Sequence, residues 1–268
     1  MPFSRRLAFR FVITIAFAVP METSWAAGLK GNIIRICEDG SEWPPYTYYQ
    51  RVNDKPTRLI RGFAVDVIET IFAKAGIDFY VEMLPWVRCQ KEVEHGMAYQ
   101  MALNSSWNEA RAKTYFLSRP YYRTTNYYFY SRRHHPAGLP IGSAEDLKKF
   151  RVCGIFGYNY ETYGLPPGSV DQGARDFTSL LAKLHAGRCD LFVEKYEIMA
   201  GFSAIGQPYL ADKDLGGKPV PGMPSTEFYM MISRRYEHGE HLLKLINDGL
   251  AEMEASKQLD KLLKKYVP

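Results

Sequence analysis

Two stretches in which strand and helix patterns alternate constrain the fold of this chain more than any other feature of its sequence. In the first stretch, short apolar runs at 33–36, 79–83 and 101–103 have the pattern of strands. Between them, apolar residues recur at helical spacing over 63–75 and again over 86–95. Strand, helix, strand, helix and strand in this order predict a parallel sheet with helices on its faces.

The same alternation starts again after residue 130. Strand patterns at 152–155 and 190–193 enclose a helical pattern over 177–185, for which Asp176 is the expected N-cap. Residues 206–226 are rich in Gly and Pro, which is typical of loops and short edge strands. The sequence therefore predicts a second α/β unit.

Extended segments are expected to connect the two units. The segments 127–132 and 228–233 are predicted to carry the chain from one unit to the other and back. We therefore expect lobe 1 to comprise residues 27–130 and 229–268, and lobe 2 to comprise residues 131–228. The cleft between two such lobes is the default place for a ligand.

Residues 1–26 predict a cleaved secretory signal peptide. They contain a basic start, an apolar run over 11–20 and small residues before an expected cleavage site after Ala26. The alternative is a membrane anchor, but this run is far shorter than the roughly 20 residues that span a bilayer. No later apolar run reaches that length without a charge or a proline. We therefore expect an exported, soluble protein.

Charge and motifs exclude several classes of function. The formal net charge is +5, and removal of residues 1–26 leaves +3, which is too little to indicate a nucleic acid partner. His238 and His241 lie on a predicted helix with Glu237 and Glu240, where we expect a solvated face and no metal site, because further ligands are not evident. No phosphate loop or nucleophile elbow is present, so no cofactor is predicted.

The stretch 104–122, NSSWNEARAKTYFLSRPYY, resembles the signature of periplasmic solute-binding proteins of the polar amino acid type, bacterial family 3, which serve ABC importers. Arg111 falls on the signature arginine, and Ser118, Pro120 and Tyr121 fall on its trailing elements. Further similar stretches follow in the family's order: RICEDGSEWPPYTY, RGFAVDVIETIFAKAG, LPWVRCQKEVEHG, EDLKKFRVCGIFGYNYE and LHAGRCDLFVE. The resemblance covers nearly all of the chain after the signal peptide. It implies a two-lobed periplasmic-binding-protein fold of type II: each lobe a mixed, mainly parallel sheet flanked by helices, the two joined by crossover strands.

In lobe 1 the resemblance implies ligand contacts from Arg111, Ser106 and one aromatic residue, and Asn104 on the same loop is a further candidate. Arg111 would hold the ligand's carboxylate with its planar fork, and an exposed helix position is the alternative for this arginine. Ser106 and Asn104 would add hydrogen bonds, and both could also cap the helix that carries Arg111. Trp43 falls near the aromatic residue that stacks on the ligand in the family, with packing inside the lobe as its alternative.

In lobe 2 the resemblance implies a contact from Asn159. Tyr158 beside it is expected to face the cleft, with local packing as its alternative. The family's aspartate, which pairs with the ligand's ammonium group, is replaced here by Lys195, and the neighbouring Glu194 is the candidate to take over that contact. The sequence leaves open which of these two residues faces the cleft. A polar amino acid or related carboxylate is the first expectation, and a cleft-facing Lys195 would favour a dianionic ligand.

Export makes the four cysteines disulfide candidates, although spacing alone allows three pairings or free thiols. In the strand order of the family, Cys153 and Cys189 would lie on neighbouring strands of lobe 2, while Cys37 and Cys89 belong to lobe 1. The resemblance therefore implies one disulfide in each lobe.

The function implied by the resemblance is capture of a small polar solute by cleft closure and its delivery to the membrane subunits of an ABC importer. We expect a monomeric binding protein and no enzyme. The alternative is an enzyme like the cyclohexadienyl dehydratases, which share this scaffold, with Glu194 as general acid if burial raised its pKa.

Overall fold

The computed structural model describes Leu29 and residues 31–267, so the predicted signal peptide lies outside the described residues. The strands are β1 Ile34–Asp39, β2 Tyr48–Val52, β3 Lys55–Arg61, β4 Phe79–Leu84, β5 Met101–Ser106, β6 Tyr115–Leu117, β7 Tyr122–Thr124, β8 Asn126–Ser131, β9 Val152–Ile155, β10 Val170–Ala174, β11 Leu191–Lys195, β12 Leu215–Pro219 and β13 Thr226–Ser233. The α-helices are α1 Phe63–Ala75, α2 Trp86–His95, α3 Glu109–Thr114, α4 Phe177–His185, α5 Tyr196–Gly201, α6 Gly239–Ala255 and α7 Gln258–Leu263. None of the helices in this part of the chain combines the length and apolar character of a membrane span.

The first sheet forms the centre of lobe 1. Its strand order is β4, β1, β5, β13 and β6, and β7 also pairs with β13. Strand β1 runs parallel to β4 and β5, whereas β13 runs antiparallel to β5, β6 and β7. Helices α1, α2 and α6 pack against these strands. The hairpin of β2 and β3 forms a separate sheet beside them.

The second sheet forms the centre of lobe 2, with the strand order β10, β9, β11, β8 and β12. Strands β10, β9 and β11 run parallel to one another, and β8 runs antiparallel to β11 and β12. The predicted α/β class with two mixed sheets is confirmed. Parallel pairing is limited to three strands of each sheet, because β8 and β13, the first strands after the chain changes sheets, run antiparallel to their neighbours.

The chain passes between the two large sheets twice among the described residues, at Thr125 and over 220–225. Strand β8 pairs with β11 and β12 in the second sheet, and β13 pairs with strands of the first. The chain therefore enters the second sheet before β8. The predicted boundary between the lobes, at 130/131, lies near the end of that strand. The division into lobes remains a prediction.

Local sequence signals set the helix boundaries. Helices α1, α2 and α4 have the predicted bounds. Gly76 ends α1 in the left-handed region, with φ 66°, which glycine adopts without steric cost. Asp176 caps α4, since its Oδ1 accepts the N–H of Ser179 at 2.7 Å.

The disulfides join elements within each lobe. Cys37 of β1 is bonded to Cys89 of α2, and Cys153 of β9 is bonded to Cys189, just before β11. The predicted pairing, one bond in each lobe, is confirmed. Because neither bond crosses from one lobe to the other, both are compatible with relative movement of the lobes.

Candidate functional site

A cavity lies between the lobes where the carboxyl ends of several strands converge. Strands β1, β5 and β11 end at Asp39, Ser106 and Lys195, which all line this central cavity. Ligands of open α/β sheets bind beyond such strand ends. The space accessible to the centre of a water molecule is about 50 Å³. The cavity is lined by all seven side chains predicted as ligand contacts: Trp43, Asn104, Ser106, Arg111, Tyr158, Asn159 and Glu194.

Arg111 reaches the cavity from the short helix α3. Oδ1 of Asn108 accepts the N–H of Arg111 at 2.8 Å, so Asn108 caps this helix and neither Asn104 nor Ser106 does. Nη1 of Arg111 donates to the carbonyl oxygen and to Oγ of Ser106, both at 3.0 Å. The guanidinium carbon lies 5.7 Å from the ring centroid of Trp86. These contacts orient the guanidinium without neutralising it.

Arg111 is a buried cation, with 7% of its surface exposed. Among the described residues it makes no ion pair, and its Nε and Nη2 have no hydrogen bond. Burial lowers its pKa to about 10, so the group is charged at neutral pH. Two adjacent N–H groups of a guanidinium match the two oxygens of a carboxylate. The arrangement can therefore bind a carboxylate in the cavity.

Ser106 and Asn104 have different partners at the end of β5. Nδ2 of Asn159, from lobe 2, donates to Oγ of Ser106 and to the carbonyl oxygen of Trp107, both at 3.0 Å. Nδ2 of Asn104 instead donates within lobe 1, at 2.8 Å to Oε2 of Glu38. Ser106 and Asn159 therefore hold the two lobes together beside Arg111, and Asn104 fixes the first strand against β5.

Trp43 and Tyr158 form a second contact between the lobes. Their rings lie 5.5 Å apart in an edge-to-face arrangement, and Nε1 of Trp43 donates to the hydroxyl of Tyr122 at 3.2 Å. The hydroxyl of Tyr158 donates to Oδ2 of Asp39 at 2.6 Å. Trp43 and Tyr158 therefore both pack against other aromatic or polar groups and line the cavity. From the sequence alone these two roles are alternatives.

Two buried carboxyl groups, Glu38 and Asp39, line the cavity and were absent from the predicted site. Glu38 accepts hydrogen bonds from the backbone N–H groups of Leu103 and Asn104, and burial raises its pKa to about 7. Burial also raises the pKa of Asp39, which accepts the N–H of Ser41 at 2.9 Å. Both lie at the carboxyl end of the first strand of a parallel set, where ligands bind. This position is the sequence signal that could have identified them as site residues.

Glu194 and Lys195 both line the cavity, so the choice between them that the sequence left open does not arise. Consecutive side chains alternate only within a strand, and β11 ends at Lys195, where α5 begins. Burial raises the pKa of the Glu194 carboxyl and lowers the pKa of the Lys195 ammonium.

The ammonium group of Lys195 is held by the segments that connect the lobes. Nζ donates to Oδ1 of Asn126 at 2.7 Å and to Oγ1 of Thr226 at 3.0 Å, and it lies 4.0 Å from the ring centroid of Tyr163. Asn126 and Thr226 are the first residues of β8 and β13. Two hydrogen bonds and one aromatic face occupy the three N–H groups of Nζ. Lys195 therefore ties lobe 2 to both connecting segments, and the preference of a cleft-facing Lys195 for a dianionic ligand stays a prediction.

The charges of the cavity suit a ligand that carries both signs. Burial raises the pKa values of Glu38, Asp39 and Glu194. The charge of Lys195 lowers the pKa of Glu194, and the smaller effect of the Asp39 charge raises it. A cationic group beside Asp39 and Glu194 would stabilise both ionised carboxylates. Arg111 provides the place for an anionic group. Among the described residues, no three His, Cys, Asp or Glu side chains are grouped so that they could hold a metal ion.

The family model of the bacterial extracellular solute-binding proteins, family 3, matches residues 34–268. A similar curated protein is a probable histidine-binding protein of Neisseria gonorrhoeae, 24% identical over 245 residues, which cover 88% of this chain and 83% of that protein. The family match therefore spans the described part of the chain almost completely.

Solved structures with the same fold include other binding proteins. The arginine-, lysine-, histidine-binding protein of Geobacillus stearothermophilus has a TM-score of 0.68 at 18% identity, covering 88% of this chain and 97% of that chain. An ancestral amino acid-binding protein, described as a precursor of cyclohexadienyl dehydratase, has a TM-score of 0.65 at 15% identity, covering 88% and 96%. The two-lobed architecture of this chain is thus that of amino acid-binding proteins.

Proposed function

This chain belongs to the bacterial extracellular solute-binding proteins, family 3, and on that premise we propose that it captures an amino acid in the periplasm. The cleft between the lobes closes on the amino acid, and the membrane subunits of an ABC importer receive it. The protein acts as a monomer and a binding protein. Residues 27–130 with 229–268, and residues 131–228, are its two moving lobes.

The observation that carries this proposal is the geometry of Arg111. Arg111 lines a cavity that the carboxyl groups of Asp39 and Glu194 also line, and its Nε and Nη2 have no hydrogen bond among the described residues. An α-amino acid places a carboxylate and an ammonium group on one carbon atom, so it can engage Arg111 and these acids together. The curated relative and several solved relatives carry the names of basic amino acids, which supports an amino acid as the solute.

Closure follows from contacts that both lobes make around the ligand. Ser106 and Arg111 of lobe 1 and Asn159 of lobe 2 meet beside the proposed carboxylate position. A ligand that binds both lobes stabilises the closed arrangement by the difference between its affinities for the closed and open forms. The importer then recognises the closed form.

A thermal-shift screen tests this function. The full chain would be produced in a Gram-negative host and purified from the periplasmic fraction, where we expect a mature N-terminus at Ala27. An amino acid at about 100 times its Kd adds roughly 2.7 kcal/mol to the free energy of unfolding, which raises the unfolding midpoint by several degrees. If dicarboxylates alone stabilise the protein, or if nothing does, the amino acid proposal is wrong.

The same hits distinguish binding from catalysis. Glu194 is a buried acid in the cavity with a raised pKa, which are the properties of a general acid, so each hit is incubated with the wild type and with Glu194→Gln. We expect the solute to be recovered unchanged from both proteins, with a lower affinity for Glu194→Gln. A cyclic dienyl acid is included in the screen for this purpose, and its conversion by the wild type, lost in Glu194→Gln, would establish the dehydratase alternative.

Amino acid binding should strengthen as the pH rises from 5.5 to 7.5. Burial raises the pKa of Glu194 to about 7, so part of this carboxyl group is protonated at the acidic end of this range, and burial raises the pKa of Asp39 as well. The ligand's ammonium group favours their ionised forms, so binding releases protons. The Kd then falls by at most about tenfold per pH unit for each proton released. Calorimetry in buffers of different ionisation enthalpy measures this release, and proton uptake would contradict the proposed ammonium position.

A further inference from the structure

A second space between the lobes, which we call the outer chamber, adjoins the central cavity. Asp39 and Trp86 line both spaces and form their shared wall. In the outer chamber the volume accessible to the centre of a water molecule is about 850 Å³, against about 50 Å³ in the central cavity. A ligand confined to the central cavity leaves this larger space to solvent.

Both lobes build the outer chamber. Pro85 and Val87, at the start of α2, and Phe156 and Arg175 of lobe 2 all line it. Oγ of Ser41 in lobe 1 donates to the carbonyl oxygen of Arg175 at 3.1 Å, so the two lobes are in direct contact at the chamber. The chamber therefore forms when the lobes come together.

The backbones of the two lobes approach each other closely beside the wall that Asp39 and Trp86 form. Gly157 has φ 80°, and a Cβ atom added to it would lie 2.4 Å from Cγ2 of Val87. Only a glycine allows this contact between the loop after β9 and helix α2. The approach at Gly157 fixes the position of its neighbour Phe156 in the chamber.

The lining of the outer chamber combines an exposed aromatic ring with an exposed cation. Phe156 is 59% exposed, which is unusual for a large apolar side chain that lines a cleft. Arg175 is also exposed, and among the described residues its guanidinium makes no ion pair or hydrogen bond. Such a surface can stack against an apolar segment and bind an anion at its end.

We propose that the outer chamber is a second subsite, which receives the extended side chain of the solute. The solute class is an α-amino acid whose side chain extends into an aromatic, carboxylate-terminated segment. Its amino acid head binds at Arg111, its chain passes between Asp39 and Trp86, its ring packs on Phe156, and its terminal carboxylate pairs with Arg175. This inference rests on the proposed function for the position of the head.

Three probes that share one head test the subsite by calorimetry. Glutamine fills the central cavity only, γ-glutamylphenylalanine adds the ring and the carboxylate, and γ-glutamylphenylalaninamide adds the ring without the charge. Ring packing and an exposed ion pair together should make γ-glutamylphenylalanine bind about tenfold more tightly than glutamine. The carboxamide should bind with intermediate affinity.

Substitutions of Arg175 and Phe156 test which side chain provides the gain in affinity. Arg175→Gln should weaken binding of γ-glutamylphenylalanine about threefold and leave the carboxamide unchanged. Phe156→Ala should weaken both extended probes about fivefold and leave glutamine unchanged. Arg188→Gln, at another exposed arginine of lobe 2, is the matched control and should change none of the three affinities.

Each outcome decides the proposal. If γ-glutamylphenylalanine binds no more tightly than glutamine, or fails to bind, or keeps its advantage in both variants, the outer chamber is not a subsite for this class. The proposed function fails in a different way, when no amino acid stabilises the protein in the thermal-shift screen.

Discussion

Arg111→Met should weaken binding of a carboxylate-bearing amino acid by about 30-fold or more. Truncating one partner of a buried, hydrogen-bonded charge pair costs about 2–5 kcal/mol, because the remaining charge stays in the cavity without a partner. Titration calorimetry of the wild type and the variant with the amino acid found in the screen measures this loss. Arg111→Lys should lie between them, because lysine keeps the charge and loses the planar fork.

Arg111→Met should not lower the stability of the fold. Arg111 makes no ion pair among the described residues, so an apolar side chain of similar length removes a buried charge without leaving an opposite charge behind. We expect the unfolding midpoint without ligand to stay the same or rise. Arg88→Met, at an exposed arginine of the same lobe, should leave the affinity unchanged. An affinity of Arg111→Met within threefold of the wild type would place the carboxylate elsewhere.

Loss of the Cys37–Cys89 disulfide should lower the free energy of unfolding by about 4 kcal/mol. This bond closes a loop with a sequence separation of 52, which restricts the unfolded chain. For a chain of this size such a loss lowers the unfolding midpoint by roughly 10 °C. The double variant Cys37→Ala, Cys89→Ala, followed by calorimetry, measures the effect.

The second disulfide provides a matched comparison. Cys153–Cys189 has a sequence separation of 36, so its removal should cost nearly the same. Neither pair lines the central cavity, so the amino acid affinity of both double variants should remain near that of the wild type. Equal free-thiol counts with and without reductant would contradict both disulfides. A binding defect confined to one double variant would mean that its disulfide positions the site.

The helices and most strands of this protein could be predicted from the sequence because their signals are local. Apolar residues at helical spacing and a following glycine set the bounds of α1, and an aspartate cap sets the start of α4. The site residues on signature positions, Arg111 above all, were predicted because a resemblance carried them. The sheets that join these elements followed from the order of strands and helices.

The acidic side of the candidate site was harder to predict. Glu38 and Asp39 follow an apolar strand, and only the pairing of β1 with β5 brings them to the wall opposite lobe 2. The orientations of Glu194 and Lys195 depended on where β11 ends, a boundary that periodicity locates only to within a few residues. Each of these positions results from contacts between segments that are far apart in the chain.

The sequence by itself determined the α/β elements, the family resemblance and the disulfide partners that the resemblance implied. Only the tertiary structure decided that Lys195 binds the connecting segments at Asn126 and Thr226. It also decided that the lobes enclose an outer chamber at Phe156 and Arg175. The physical reason is range: hydrophobic periodicity and capping act over a few neighbouring residues, whereas burial, hydrogen bonds between lobes and cavity shape arise from residues that folding brings together.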